Sequence, residues 1–192
     1  MGSPRAPVKK LRLKAATANP NGIQAPCHQV LAILLDPRNG VTKQQVEPCG
    51  VLPDPKPIRT PQQGTGFRFG DVVLAWVGTD LPLIKNRDFS TATAAYPEEP
   101  GGDPASSSIV VGTCSISLPE LAPERKGYLR GEILMQGWHL KPLQLPGVTA
   151  TGVHFVSYSK LKGGIPKSVL AMNTKQGGEF AMSLKRLAEA PC

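Results

Sequence analysis

The sequence predicts an α+β fold in which a short helix, a run of strands and a final long helix form one domain, the last helix lying on a curved antiparallel sheet. Two observations predict it. Apolar residues alternate with a period of two through the middle of the chain and switch to a helical period near its end. The chain has 192 residues with 40% hydrophobic, the size of one domain able to bury a sizeable core.

Residues 1–8 read as a basic tail, and residues 9–192 as the domain. Asn19-Pro20-Asn21-Gly22 is a strong turn signal closing an irregular strand over residues 11–24. Pro26 then sits at the first turn of a helix, where its missing N–H is harmless. Val30, Ile33 and Leu34 line one face of that helix, Leu31 and Leu35 widen the stripe, and Asp36-Pro37 stops it. Residues 48–66 are rich in Pro, Gln, Gly and Thr and read as loop. Asp71–Val77 and Ile109–Cys114 read as strands, with Pro97–Ser108 a flexible connection. Residues 128–140 and 150–160 read as two more, turning at Pro146-Gly147. In the first of these, Leu129, Ile133 and Met135 share an apolar face opposite Arg130, Glu132 and Gln136, as in a sheet that is dry on one side. Pro166 opens the final helix, where Ile165, Val169, Met172, Phe180, Leu184 and Leu187 recur at helical spacing. Gly177-Gly178 inside that helix costs about 2 kcal/mol relative to alanines and predicts a kink.

Chemistry is sparse. The chain has no nucleophile elbow, P-loop or His-Glu-x-x-His motif. Cys27, Cys49, Cys114 and Cys192 form no C-x-x-C pair, and His28, His139 and His154 are scattered, so no metal site and no cofactor is expected. Without a secretory apolar segment near the start, the thiols are read as free in a reducing compartment. No apolar run approaches the ~20 residues of a spanning helix. The net charge of +8 favours polyanions, either nucleic acid or an anionic membrane face. Only two Trp, three Tyr and five Phe leave few platforms for base stacking, so nucleic acid is set aside. The early Arg and Lys residues leave a mitochondrial targeting segment open, although Pro4, Pro7 and Pro20 oppose the helix it needs.

Three segments carry a family resemblance. Leu81-Pro82-Leu83-Ile84-Lys85-Asn86-Arg87-Asp88-Phe89, Lys126-Gly127-Tyr128-Leu129-Arg130-Gly131-Glu132 and Leu161-Lys162-Gly163-Gly164-Ile165-Pro166-Lys167-Ser168-Val169 resemble, in this order, motifs of the steroidogenic-acute-regulatory-related lipid-transfer (START) domains. Weaker similarity runs upstream to the Ile23–Pro37 stretch, so that it covers about residues 9–190. The departures are Gly164 where relatives carry a bulky residue, Lys160 where they carry an acid, and an uncharged Ser90–Ala95 where many have an arginine. The family's early helix has no counterpart.

The resemblance implies a helix-grip fold, a curved antiparallel sheet wrapped around a long C-terminal helix with an internal lipid tunnel. It implies non-enzymatic intracellular binding or transfer of one lipid, a sterol or a phospholipid, by a cytoplasmic monomer peripheral to membranes. The expected tunnel residues are Thr91, Thr93, Val111, Leu129, Ile133, Met135, Val153, Phe155, Val169, Met172, Phe180 and Leu184. The loop Ser115–Lys126 and the final helix would form its lid, with Lys162, Lys167, Lys175, Lys185 and Arg186 meeting anionic membrane surfaces. A tunnel walled by small neutral residues suits a weakly polar lipid better than a charged headgroup. Two other readings stay open. One is a helix-grip enzyme of polyketide-cyclase type, which needs His139 or His154 pointing inward; the other is a regulatory scaffold whose cavity is vestigial.

Overall fold

The computed structural model describes residues 22–36, 44–52, 69–81, 84–99, 106–166 and 179–190. Their elements are α1 (Cys27–Leu35), β1 (Gln44–Leu52), β2 (Val72–Thr79), β3 (Asn86–Pro97), β4 (Ile109–Ser115), β5 (Tyr128–Arg130), β6 (Glu132–Leu145) and β7 (Val148–Lys160), followed by a helix over 179–188, here α2. Seven strands join one sheet, six of them in the order β1-β2-β3-β4-β6-β7 and β5 paired to β3 off that path. Every neighbouring pair is antiparallel except β5, which runs parallel beside the first residues of β3. This is the curved antiparallel sheet with helices that the sequence predicts. The tight connection between β6 and β7 is Pro146-Gly147, where Gly147 takes φ +70°, the positive value a proline–glycine turn asks of its second central residue.

Three segments differ from the sequence-based expectation, each for a local reason. Residues 48–52, expected in a loop, belong to β1. Proline lacks a ladder donor and is confined to edges and bulges; Pro48 sits at both, because β1 is the edge strand and its register shifts between Pro48 and Gly50. The strand expected over residues 128–140 is two strands. Gly131 separates them, its N–H donating to the carbonyl of Asp88 at 2.8 Å, and a Cβ at this position would collide with the Phe89 ring. Ile165 and Pro166, expected in the final helix, are not helical; residues 167–178, including the predicted kink at Gly177-Gly178, lie outside the described residues.

The concave face of the sheet is divided in two. Towards β6 and β7 it is packed solid against α1 and α2: Val30 and Leu31 from α1 and Leu184 and Ala188 from α2 close over Ile109, Trp138, Leu140 and Val153. Phe180 lies 4.5 Å from the Trp138 ring, and Phe155 stacks on Trp138 at 3.9 Å between centroids. Thr151 is fully buried beneath this layer and donates to the carbonyl of Ala25 at 2.6 Å, tying β7 to the approach of α1. Towards β1, β2 and β3 no helix among the described residues covers the face so completely, and a cavity remains.

The three segments that carry the family resemblance are far apart in sequence, and their described residues meet at the start of β3. Arg87, 2% exposed, points to the concave side and donates to the carbonyls of Leu161 at 2.7 Å, Lys162 at 3.0 Å and Lys85. The next residue, Asp88, points to the convex side. It accepts from Arg130 Nε at 3.1 Å and Nη2 at 2.9 Å, and from Trp76 Nε1 at 2.9 Å. Period-two alternation thus turns two adjacent charges to opposite faces, where each fastens a different segment.

Candidate ligand cavity

The cavity measures about 350 Å³. Its walls are the inward residues of neighbouring strands: Val46, Pro48 and Val51 from β1, Val73, Ala75 and Val77 from β2, Phe89, Thr91 and Thr93 from β3. Val111 and Thr113 from β4 and Ile133, Gln136 and Trp138 from β6 continue the surface. Leu34, Leu35 and Asp36 at the end of α1, Gln44 at the start of β1 and Phe180 of α2 complete it. The lining is therefore aliphatic and aromatic with a few neutral polar groups. Asp36 is its one charged side chain among the described residues, and it is itself engaged in a further interaction.

Of the residues expected to form the tunnel, Thr91, Thr93, Val111, Ile133 and Phe180 line this cavity. Five others are elsewhere. Met135 faces solvent with 53% of its surface exposed, because the register of β6 against β7 shifts between Ile133 and Met135. That bulge reverses the side of every later residue and brings Gln136, expected on the polar face, into the cavity. Val153 and Leu184 are in the solid core beneath the helices. Phe155 is held against Trp138, and the half-buried Leu129 faces Gly163 rather than the cavity. Val169 and Met172 lie outside the described residues.

The β1 and β2 walls were not anticipated. For β2 the signal is the alternation Val73, Ala75, Val77, whose inward phase only the sheet reveals. For β1 the prolines and glycine masked it.

The convex face is built differently. The Arg125 guanidinium lies over the Trp76 ring, 3.6 Å from its centroid, and forms a two-pronged ion pair with Glu47 at 2.7 and 2.6 Å. That hydrogen bonding holds the Glu47 carboxyl below its ordinary range and raises the Arg125 guanidinium. Arg130 holds the carbonyls of Ala122 and Pro123, so the loop between β4 and β5 is strapped to the back of the sheet by two arginines. His139 and His154 are paired across β6 and β7, rings 6.2 Å apart, with Glu98 3.2 Å from His139 Nε2. Both are on the face opposite the cavity, since Trp138 and Gln136 point inward. Among the described residues no three His, Cys, Asp or Glu side chains cluster as metal ligands, and no helix is long and apolar enough to cross a membrane.

Of the cations expected at a membrane surface, Lys162 and Arg186 are exposed. Lys185 differs: its ammonium donates to the Gly22 carbonyl at 3.2 Å and pairs with Glu189 at 3.5 Å, because α2 packs beside the approach to α1. Lys167 and Lys175 lie outside the described residues.

No family model and no curated protein matches this sequence. Solved structures do match its shape. Human StAR-related lipid transfer protein 5 superposes with a TM-score of 0.60 at 16% identity over 91% of this chain and 73% of that one. The crystal structure of human STARD10 gives 0.59 at 13% identity over 90% of this chain. The chain spans 62% of the length of that structure. A STAR-related lipid transfer protein from Xanthomonas axonopodis gives 0.54 at 18% identity over 94% of this chain and 99% of that one. The strand order, the helices on the concave side and these superpositions together give the chain the helix-grip fold of the StAR-related lipid-transfer domains.

Proposed function

We propose that this chain is a divergent START domain that binds one lipid in the cavity between β1, β2, β3 and the helices, and carries it between membranes without covalent chemistry. One observation carries the reading: the same concave face that is packed solid under α1 and α2 is hollow and apolar beside them. A mostly apolar hollow of about 350 Å³, partly open to solvent, on a face that is elsewhere sealed by helices is a feature to be explained. Its volume is at the lower end of the ~300–1,000 Å³ range of small-molecule sites, and its mostly apolar lining with a few convergent polar groups is their usual chemistry. The shared fold with lipid-transfer domains supports the same reading.

The carrier works as a monomer at the cytoplasmic face of membranes. Lys162 and Arg186, exposed on a chain of net charge +8, favour anionic headgroups during transfer. Native mass spectrometry of the purified protein, followed by lipid extraction, tests the proposal. One lipid per chain is expected, and replacing Ala75 on the cavity wall by Trp should abolish it while the protein stays folded. A protein that takes up no lipid from mixed vesicles, or an Ala75→Trp variant that carries as much as wild type, would remove the cavity from the account.

A further inference from the structure

The convex face brings together two histidines that are apart in the sequence. His139 of β6 and His154 of β7 are directly opposite in the β6–β7 register, with ring centroids 6.2 Å apart and planes tilted by 35°. Glu98 reaches the same spot from beyond the end of β3, its Oε2 3.2 Å from His139 Nε2. Each of the three is carried by fixed backbone. The β6–β7 ladder sets the two histidines side by side, and the Glu98 N–H donates to the Ser108 carbonyl at 2.8 Å. The site is open to solvent: His139 keeps 35% of its side-chain surface, Glu98 54%, and His154 is exposed. None of the three lines the cavity, which is on the other side of the sheet.

We propose that His139, His154 and Glu98 form a surface site for a zinc ion that bridges β6, β7 and the end of β3. Two ligand atoms ~2.0–2.1 Å from one tetrahedral ion are themselves ~3.3 Å apart. His139 Nε2 and Glu98 Oε2 already have that spacing, at 3.2 Å. Two imidazoles bound to one such ion place their centroids roughly 5–6 Å apart. The pair at 6.2 Å is one side-chain rotation away from that separation. As they stand, the three are not drawn in to ligand distances. The exposed His154 is the ring that turns, because no packing opposes it. The ion takes the place of the proton between His139 Nε2 and Glu98 Oε2. Each imidazole stays neutral, its proton on the nitrogen turned away from the ion, and water fills the remaining position. Two imidazoles and a carboxylate suit a borderline ion such as zinc, whereas calcium and magnesium take oxygen ligands. An ion that fits only the folded register also stabilises the fold. This site is independent of what the cavity carries.

Isothermal titration of zinc into the reduced full chain, in a buffer that does not chelate the metal, tests the proposal. One ion per chain is expected. At about 100 times its dissociation constant, zinc should raise the melting temperature by about 5–10 °C. His139→Gln and His154→Gln should each weaken binding about tenfold or more, since even the outer partners of metal ligands are worth about 10–100-fold in affinity. Glu98→Gln should weaken it severalfold. All three variants should keep the wild-type melting temperature without metal, which shows that they are folded. Cobalt, a coloured substitute for zinc, separates this site from the cysteines: nitrogen and oxygen ligands give visible bands without the near-ultraviolet band of a cobalt thiolate. No saturable zinc uptake, a thiolate band, or a His139→Gln/His154→Gln double variant that binds as tightly as wild type overturns the proposal. Unchanged affinity in Glu98→Gln overturns the three-ligand site as drawn.

Discussion

Removing the Arg130 guanidinium should be among the most damaging single changes outside the apolar core. Asp88 is 1% exposed at its side chain and Arg130 19%. With Arg130→Ala, the Asp88 carboxylate keeps only the Trp76 N–H of its three donors, and the carbonyls of Ala122 and Pro123 lose theirs. Breaking a buried pair by deleting one partner typically costs about 3–5 kcal/mol, because the other charge is left uncompensated. That is a large part of the ~5–15 kcal/mol that holds a domain folded. For a chain of this length about 2–4 °C is lost per kcal/mol, so the melting temperature should fall by roughly 6–20 °C. Urea unfolding followed by far-ultraviolet circular dichroism is the appropriate assay, since Trp76 touches the pair and its fluorescence would report the local change. Adding Asp88→Asn to Arg130→Ala removes the stranded charge, and the double variant should be less destabilised than the sum of the two singles. Glu47→Gln, which breaks the exposed pair with Arg125, should barely move the midpoint. A loss under about 1 kcal/mol for Arg130→Ala, the range of a surface pair, would refute the view that this cluster anchors the loop.

Three further outcomes follow from the same geometry. Gly131→Ala places a methyl group against the Phe89 ring, and since Phe89 lines the cavity the variant should lose about 1–3 kcal/mol of stability and bind ligand more weakly; unchanged uptake and stability would contradict the close approach. The Glu47 carboxyl is held below its ordinary value of 4.5, chiefly by hydrogen bonding from Arg125, so its contribution is complete above that value and disappears as pH falls through the lowered one. In a Trp138→Phe background the Trp76 emission should therefore be constant from neutral pH down to the usual carboxylate range and change only below it; a transition near pH 6 would assign the signal to another group. Burial raises the Cys27 thiol above its ordinary value, whereas Cys114 is exposed, so among the three described cysteines alkylation tracked by mass spectrometry should reach Cys114 before Cys27; the reverse order would contradict the packing of α1.

Much of this molecule is determined locally and is legible in the sequence. Pro26 stands at the N-cap of α1, the alternating stretches through Val73, Val111 and Val153 form strands, and Pro146-Gly147 turns β6 into β7, because each choice depends on residues a few positions apart. The segments around Arg87-Asp88, Arg130 and Leu161-Lys162 were also recognisable one by one. Their meeting was not: only the sheet shows that Arg87 and Asp88 face opposite ways and each fastens another of the segments. The β6 bulge is a one-residue event, yet it exchanges Met135 for Gln136 on the cavity wall, and no periodicity in the sequence announces it. The division of the concave face into core and cavity was equally beyond reach, because Val153 and Val73 sit in similar alternating patterns. Which of them is sealed and which lines a void depends on where α1 and α2 land, and that is a long-range packing outcome.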